Sequence, residues 1–190
     1  MAGVARVLPR LLWAVAACAL LLQGAAAADS PSEYQVKAVF LFNFSHFVDW
    51  PSQAFTSPAA PFVIGILGAD PFGSRLDEAV RGEHIDGRPI VVRRFSKMEE
   101  IGDCQILFID RSAAAPLDQI IGTLGHRSIL TVSEVDGAAL RGVMVQFVTE
   151  NNRIRLRINV ESARAADLSI SSKLLRLADI VSTSSGSQTP

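Results

Sequence analysis

Four short, mostly apolar runs follow one another through the middle of the chain and constrain its fold more than any other feature. Polar or glycine-containing segments separate each run from the next. The runs are Phe62–Leu67, Ile90–Phe95, Gln105–Asp110 and Ile129–Val132. Runs that are apolar on both faces are typical of parallel strands, because helices cover both sides of a parallel sheet. We therefore predict a parallel β-sheet.

Helical segments are predicted between these strands. They span Arg75–Arg81, a short stretch at Met98–Ile101, and Pro116–Leu124. Asp70 is expected to be the N-cap of the first of them, with Pro71 in its first turn. The alternation of strand and helix predicts a single three-layer α/β/α domain.

The pattern changes after residue 142, where two strands follow each other directly. Val143–Val148 and Arg153–Ile158 are predicted to form an antiparallel hairpin, joined by the Asn-rich turn 149–152. Basic and apolar residues alternate along the second strand, so one of its faces is expected to contact water. This strand should lie near the sheet edge, where positive charge discourages edge pairing. The predicted fold class is α/β, with a mostly parallel sheet and a C-terminal antiparallel hairpin.

An aromatic segment, Glu33–Trp50, precedes the strands. It holds four of the ten Phe residues, the only Tyr and one of the two Trp. Its apolar residues cover nearly the whole circumference of a helix, which predicts a helix that is buried on most sides and ends before Pro51. Lys37 and Asn43 must each reach solvent or a partner, because burying an unpaired polar group costs several kcal/mol.

Residues 1–28 have the pattern of a secretory signal peptide. Arginines precede the apolar run Leu11–Leu22, and four alanines follow it at positions 25–28. The run is shorter than the roughly 20 residues that a membrane-spanning helix needs. A stretch ending at Cys18 is close to a lipoprotein cleavage box, but the apolar run continues past it, so lipid anchoring at Cys18 is the less favoured alternative. We expect export to the periplasm.

Residues 29–181 are predicted to form the folded domain, ending in helices at Glu161–Ala166 and Ser171–Ile180. The polar tail, residues 182–190, is predicted to be disordered. Without the two arginines of the signal peptide, 16 basic and 19 acidic residues remain, a net charge of −3 (16 − 19). An acidic exported domain is a poor partner for nucleic acid.

The sequence carries no recognisable catalytic pattern. His46, His84 and His126 lack metal-ligand spacing, and no nucleophile-elbow motif occurs. The glycine-containing turn Gly65–Gly73 could present free N–H groups to an anion, but its spacing favours a tight strand-to-helix turn. We assign no catalytic, cofactor-binding or metal-binding residue and expect a non-enzymatic binding module. Cys104, the only cysteine after the signal peptide, is expected to be a buried thiol.

Six segments, in order along nearly the whole exported chain, resemble the YfiR family. They are Tyr34–Phe44 with Phe47–Pro51, Gly65–Gly73, Cys104–Ile109, Leu130–Ser133, Asn152–Asn159 and Ile170–Ala178. The resemblance implies a periplasmic regulator, often dimeric, that represses a membrane-bound diguanylate cyclase through its periplasmic sensor region. Repression lowers cyclic di-GMP and biofilm formation. Some members carry paired cysteines, whereas Cys104 has no partner in the exported chain.

The resemblance also implies partners. They are the periplasmic domain of an inner-membrane diguanylate cyclase, an OmpA-like outer-membrane lipoprotein that sequesters the repressor, and a second copy of the chain. Two other classes stay open. One is a small-ligand sensor domain that serves another membrane receptor or transporter, and the other is an enzyme whose assembled site has no sequence motif.

Apolar residues crowd the C-terminal segment and have two interpretations. They belong to the core, or they line a groove for an aromatic anchor of the partner, with basic residues at its rim. Under the second interpretation the partner-binding residues are Leu168, Ile170, Lys173, Leu174, Arg176 and, on the neighbouring hairpin, Arg155.

Overall fold

The apolar runs form the centre of an eight-stranded sheet in the computed structural model, which describes residues 32–151 and 153–183. The predicted signal peptide, Cys18 and all but two residues of the predicted polar tail lie outside the described residues. The helices are α1 (Glu33–Phe47), α2 (Ser74–Ala79), α3 (Leu117–Leu124), α4 (Val160–Ala165) and α5 (Ser172–Leu175). The strands are β1 (Val48–Asp49), β2 (Phe62–Leu67), β3 (His84–Ile85), β4 (Arg88–Phe95), β5 (Ile106–Ile109), β6 (Leu130–Ser133), β7 (Val145–Glu150), β8 (Arg153–Asn159), β9 (Ser169–Ile170) and β10 (Ala178–Val181).

The strand order in the large sheet is β10-β8-β7-β6-β5-β2-β4-β3. The pairs from β7 through β6, β5 and β2 to β4 are all parallel, and β10 is parallel to β8. β7 and β8 form an antiparallel hairpin, and β3 is antiparallel to β4. The predicted α/β class, with a mostly parallel sheet and a C-terminal hairpin, is confirmed.

Alternate residues of β2 show how the two faces of the sheet are covered. Phe62, Ile64 and Ile66 join a buried cluster with residues of α1, α2, α4 and α5. Val63 and Leu67 join a second buried cluster, to which α3 contributes Leu117, Ile120 and Leu124. Side chains that alternate along a strand point to opposite faces, so helices pack on both sides of the sheet, as the three-layer prediction requires.

The ends of several elements differ from the prediction, and those of the first two helices bear on the fold most. α1 ends at Phe47 rather than Trp50, because Val48 and Asp49 pair with β9 in a separate two-stranded sheet. α2 begins at Ser74, and its N-cap is Gly73 rather than Asp70. The Asp70 carboxylate instead accepts the N–H groups of Phe72 and Gly73, at 2.8 and 3.2 Å, and so stabilises the turn before the helix.

The predicted helix Ser171–Ile180 is wrong. The segment forms one short helix, α5, and then the strand β10, which pairs in parallel with Leu156–Asn159 of β8. Its apolar spacing fits a helix, but the N–H and C=O groups on the outer side of β8 need partners, and β10 supplies them. β8 is therefore the second strand from this edge.

Cys104 is 3% exposed and unpaired, which confirms the buried thiol. Burial raises its pKa to about 12, so the thiol stays protonated and unreactive at neutral pH.

Candidate functional site

The C-terminal segment, residues 168–181, holds most of the predicted partner-binding residues. Leu168 and Leu174 are each 3% exposed and belong to the core cluster that contains α1. Ile170 is half-buried in β9, opposite Val48 of β1. The core interpretation therefore describes where Leu168 and Leu174 lie, and their role in partner binding stays a prediction.

The basic residues of the prediction lie on the surface. Lys173, Arg176 and Arg155 are exposed, and none of them forms an ion pair with another described residue. A shallow groove of about 350 Å³ brings two of them together between the start of β8 and the start of β10. We call it the edge groove, and it is lined by Arg153, Ile154, Arg155, Leu156, Arg176, Leu177, Ala178 and Asp179.

Two large apolar side chains of the C-terminal segment are exposed, and neither is among the predicted partner-binding residues. Leu177 is 74% exposed and Ile180 is 54% exposed. Ile180 lies on β10, which forms this end of the large sheet. Apolar side chains flanked by unpaired arginines are a common composition for an interaction surface.

A second unusual group of residues joins the start of α1 to the carboxyl ends of β5 and β6. Lys37 is 1% exposed, and its ammonium group donates hydrogen bonds to the carboxylates of Glu33 and Glu134. Glu134 directly follows β6 and is 3% exposed. The expectation that Lys37 needs a partner is therefore met inside the domain rather than at its surface.

The other oxygen of Glu134 is also bonded. It accepts the Tyr34 hydroxyl at 3.1 Å and Nε of Arg111 at 3.2 Å. Burial, together with the adjacent Glu134 carboxylate, raises the pKa of Tyr34 to about 12. The hydrogen bonds from Lys37 and the Thr149 hydroxyl lower the pKa of Glu33.

We call Glu33, Tyr34, Lys37, Arg111 and Glu134 the charge cluster. Its two carboxylates and two cations balance, and every member is bonded to another. Such a group orients elements and offers no free acid or base. Sequence reasoning did not assign Tyr34, Arg111 or Glu134, although a lysine inside an apolar helix is a signal that an acidic partner exists somewhere in the fold.

A larger cleft of about 600 Å³ lies at the carboxyl ends of β2, β4 and β5. We call it the switch cleft. Its lining is apolar at Leu67, Met98, Ala113, Pro116 and Ile120, and polar at Ser96, Lys97, Glu99, Ser112 and Gln119. The turn Gly68–Ala69, part of the glycine-containing segment considered as an anion site, forms one wall.

The three histidines have different neighbours. The rings of His84 and His126 lie 3.0 and 2.8 Å from the carbonyl oxygens of Gly82 and Ala165, and His46 packs edge-on against Phe42. Within residues 32–151 and 153–183, no three His, Cys, Asp or Glu side chains are arranged to hold a metal ion. Among the helices of the same residues, none combines the length and the apolar character that crossing a membrane requires.

Comparison with known protein families gives a match. The model of the YfiR/HmsC-like family matches residues 34–179. No curated protein matches the chain. The matched region runs from the second residue of α1 into β10, and it includes the charge cluster except Glu33, the switch cleft and the edge groove. The match covers well over half of the chain, and the chain therefore belongs to the YfiR/HmsC-like family.

Proposed function

We propose that this protein is a periplasmic regulatory binding protein that represses a membrane-bound diguanylate cyclase. It would bind the periplasmic sensor region of the cyclase and so lower cyclic di-GMP and biofilm formation. The observation that carries the proposal is the family match over residues 34–179. Membership of this family supports the role of a periplasmic, non-catalytic regulator of diguanylate cyclase. Export by the signal peptide, residues 1–28, belongs to the same proposal.

The edge groove is the surface we propose for the cyclase. Arg155 and Arg176 supply positive charge that no other described residue pairs with, and Leu177 supplies exposed apolar area. A partner segment with an apolar anchor and acidic neighbours would be complementary to both. Two further partners are proposed. They are an OmpA-like outer-membrane lipoprotein and a second copy of the chain.

Deletion of the gene, with cyclic di-GMP as the readout, tests the function. The deletion strain should contain more cyclic di-GMP, and the wild-type gene should restore the lower level. An Arg155→Glu/Arg176→Glu variant should accumulate in the periplasm yet fail to restore it, because its charges would repel an acidic partner.

A control is Arg81→Glu, which makes one such charge reversal at an exposed position after α2. This variant should repress as well as the wild type. Unchanged cyclic di-GMP on deletion would refute the repressor function, whereas full repression by the double variant would refute only the proposed surface.

A small-ligand sensor that serves another receptor or transporter is a second candidate function. The switch cleft favours it, because a cleft lined by apolar side chains together with a few polar ones is the usual form of a small-molecule site. A ligand that changed the repression of the cyclase would show that the protein both senses a small molecule and represses the cyclase.

A further inference from the structure

The switch cleft lies where open α/β sheets bind ligands. The chain leaves β2 towards α2 on one face of the sheet and leaves the adjacent strand β5 towards α3 on the other face. The connections therefore separate at the carboxyl ends of β2 and β5 and leave a crevice between them. Gly68 and Ala69 follow β2, and Ser112 lies in the turn after β5, so the cleft is at this point.

The wall formed by these turns is held in one conformation. The Ser112 hydroxyl accepts the N–H of Ala69 at 2.8 Å, and the buried Asp110 carboxylate accepts the N–H of Ser112 at 2.8 Å. Gly68 has a φ of +95°, and a Cβ at this position would lie 2.5 Å from the Ser112 hydroxyl oxygen. Only glycine fits this close approach without displacing Ser112. A preformed wall lowers the entropic cost of binding.

A second wall is formed by residues 96–99, which carry the charged side chains of the cleft. The Glu100 carboxylate accepts the N–H of Ser96 at 2.9 Å, so Glu100 is engaged by the backbone. Lys97 and Glu99 line the cleft, and neither forms an ion pair with another described residue. Met98 adds a flexible apolar surface that adapts to ligand shape.

We propose that the switch cleft binds a small organic acid with an apolar body. Its carboxylate would pair with the Lys97 ammonium group, and its apolar body would lie against Met98, Pro116 and Ile120. A volume of about 600 Å³ admits a molecule of this kind. Naming this ligand class deepens the sensor function and rests on that second candidate, independently of cyclase repression.

Binding of 3-phenylpropionate to the exported protein tests the proposal, with backbone amide chemical shifts as the readout. The shifts should change at Gly68, Ala69 and Ser112 and saturate with concentration. Lys97→Gln should weaken binding about ten-fold, which is the loss of one charged hydrogen bond. The neutral analogue 3-phenylpropionamide should bind the wild type as weakly as 3-phenylpropionate binds Lys97→Gln.

Two controls separate this site from non-specific binding. Glu99→Gln, two residues from Lys97 on the same wall, should bind at least as tightly as the wild type because it removes a like charge. Gln119→Trp, at an exposed position of α3, should fill the cleft and abolish binding.

Unchanged affinity in either Lys97→Gln or Gln119→Trp would overturn the proposal, as would shift changes confined to other parts of the chain. An absence of any binding would overturn it too. None of these results depends on cyclic di-GMP, so the ligand proposal and the repressor proposal fail separately.

Discussion

The first helix buries a charged side chain, whereas the C-terminal segment exposes large apolar ones. α1 places the ammonium group of Lys37 among the most buried atoms of the domain, at 1% exposure. The C-terminal segment leaves Leu177 and Ile180 exposed at 74% and 54%. Position in the fold explains the contrast, since α1 packs on the central strands and β10 forms the outer edge of the sheet.

The unusual residues of the two regions have different roles, one in stability and one in interaction. A buried charge must be paired within the domain, so the α1 lysine serves the domain's own structure. An exposed leucine contributes little to stability, so Leu177 is available to a partner. Substitutions should therefore change stability in the first region and interaction in the second.

The largest effect is expected for Lys37→Met. This substitution leaves Glu134 buried without its lysine, which costs about 3–5 kcal/mol of unfolding free energy. Lys173→Met is the matched control on the C-terminal segment and should change stability by less than about 0.5 kcal/mol. Urea denaturation of both variants measures the difference.

The double variant Lys37→Met/Glu134→Leu sharpens that result. It removes both charges, so it should regain much of the stability that Lys37→Met alone loses. A Lys37→Met protein as stable as the wild type would show that the charge cluster does not hold α1.

The next largest effect distinguishes two leucines within the C-terminal segment. Leu174→Ala should lose about 2–5 kcal/mol, because Leu174 belongs to the core cluster. Leu177→Ala should stay within about 0.5 kcal/mol of the wild type while weakening repression of the cyclase. Equal destabilisation of the two variants would contradict the division, and so would full repression by Leu177→Ala.

The third expected effect concerns the pKa of Tyr34. Tyr34 is the only tyrosine, so ultraviolet absorbance of the folded protein reports this phenol alone. Its pKa is raised from 10.0 to about 12, so at pH 11 most of the phenol should stay protonated. The folded pKa lies above the unfolded one, so the stability contributed by the neutral phenol is full below pH 10 and is lost as the pH rises through about 12.

Glu134→Gln is the comparison for this titration. Removing the carboxylate should lower the pKa of Tyr34 part of the way towards 10, and burial should account for the rest. Circular dichroism at each pH confirms that the chain stays folded. A wild-type midpoint near 10 in the folded protein would contradict both the burial of Tyr34 and its contact with Glu134.

The central strands could be predicted because their own residues specify them. Phe62–Leu67 and Ile106–Ile109 are apolar on both faces. This pattern is typical of the buried strands of a parallel sheet. The strand β10 could not be predicted in the same way. Its spacing suits a helix, and only the adjacent edge of β8 makes it a strand.

The charge cluster was partly predictable. Lys37 signalled that an acidic partner exists, but Glu134 lies 97 residues away along the chain, and no local pattern connects them. The exposure of Leu177 was hidden for a related reason, since the sequence shows that Leu174 and Leu177 are apolar but not which of them faces the core.

The small sheet of β1 and β9 has a consequence for the order of folding. Val48 pairs with Ile170 across 122 residues of chain (170 − 48), and the N–H of Ser171 donates to the carbonyl of Phe47 at 2.8 Å. Contacts between distant parts of a chain carry a large loop-closure cost until the intervening segments are in place. This ladder should therefore close late, after the central strands have assembled. Its loss would then accelerate unfolding more than it would slow folding.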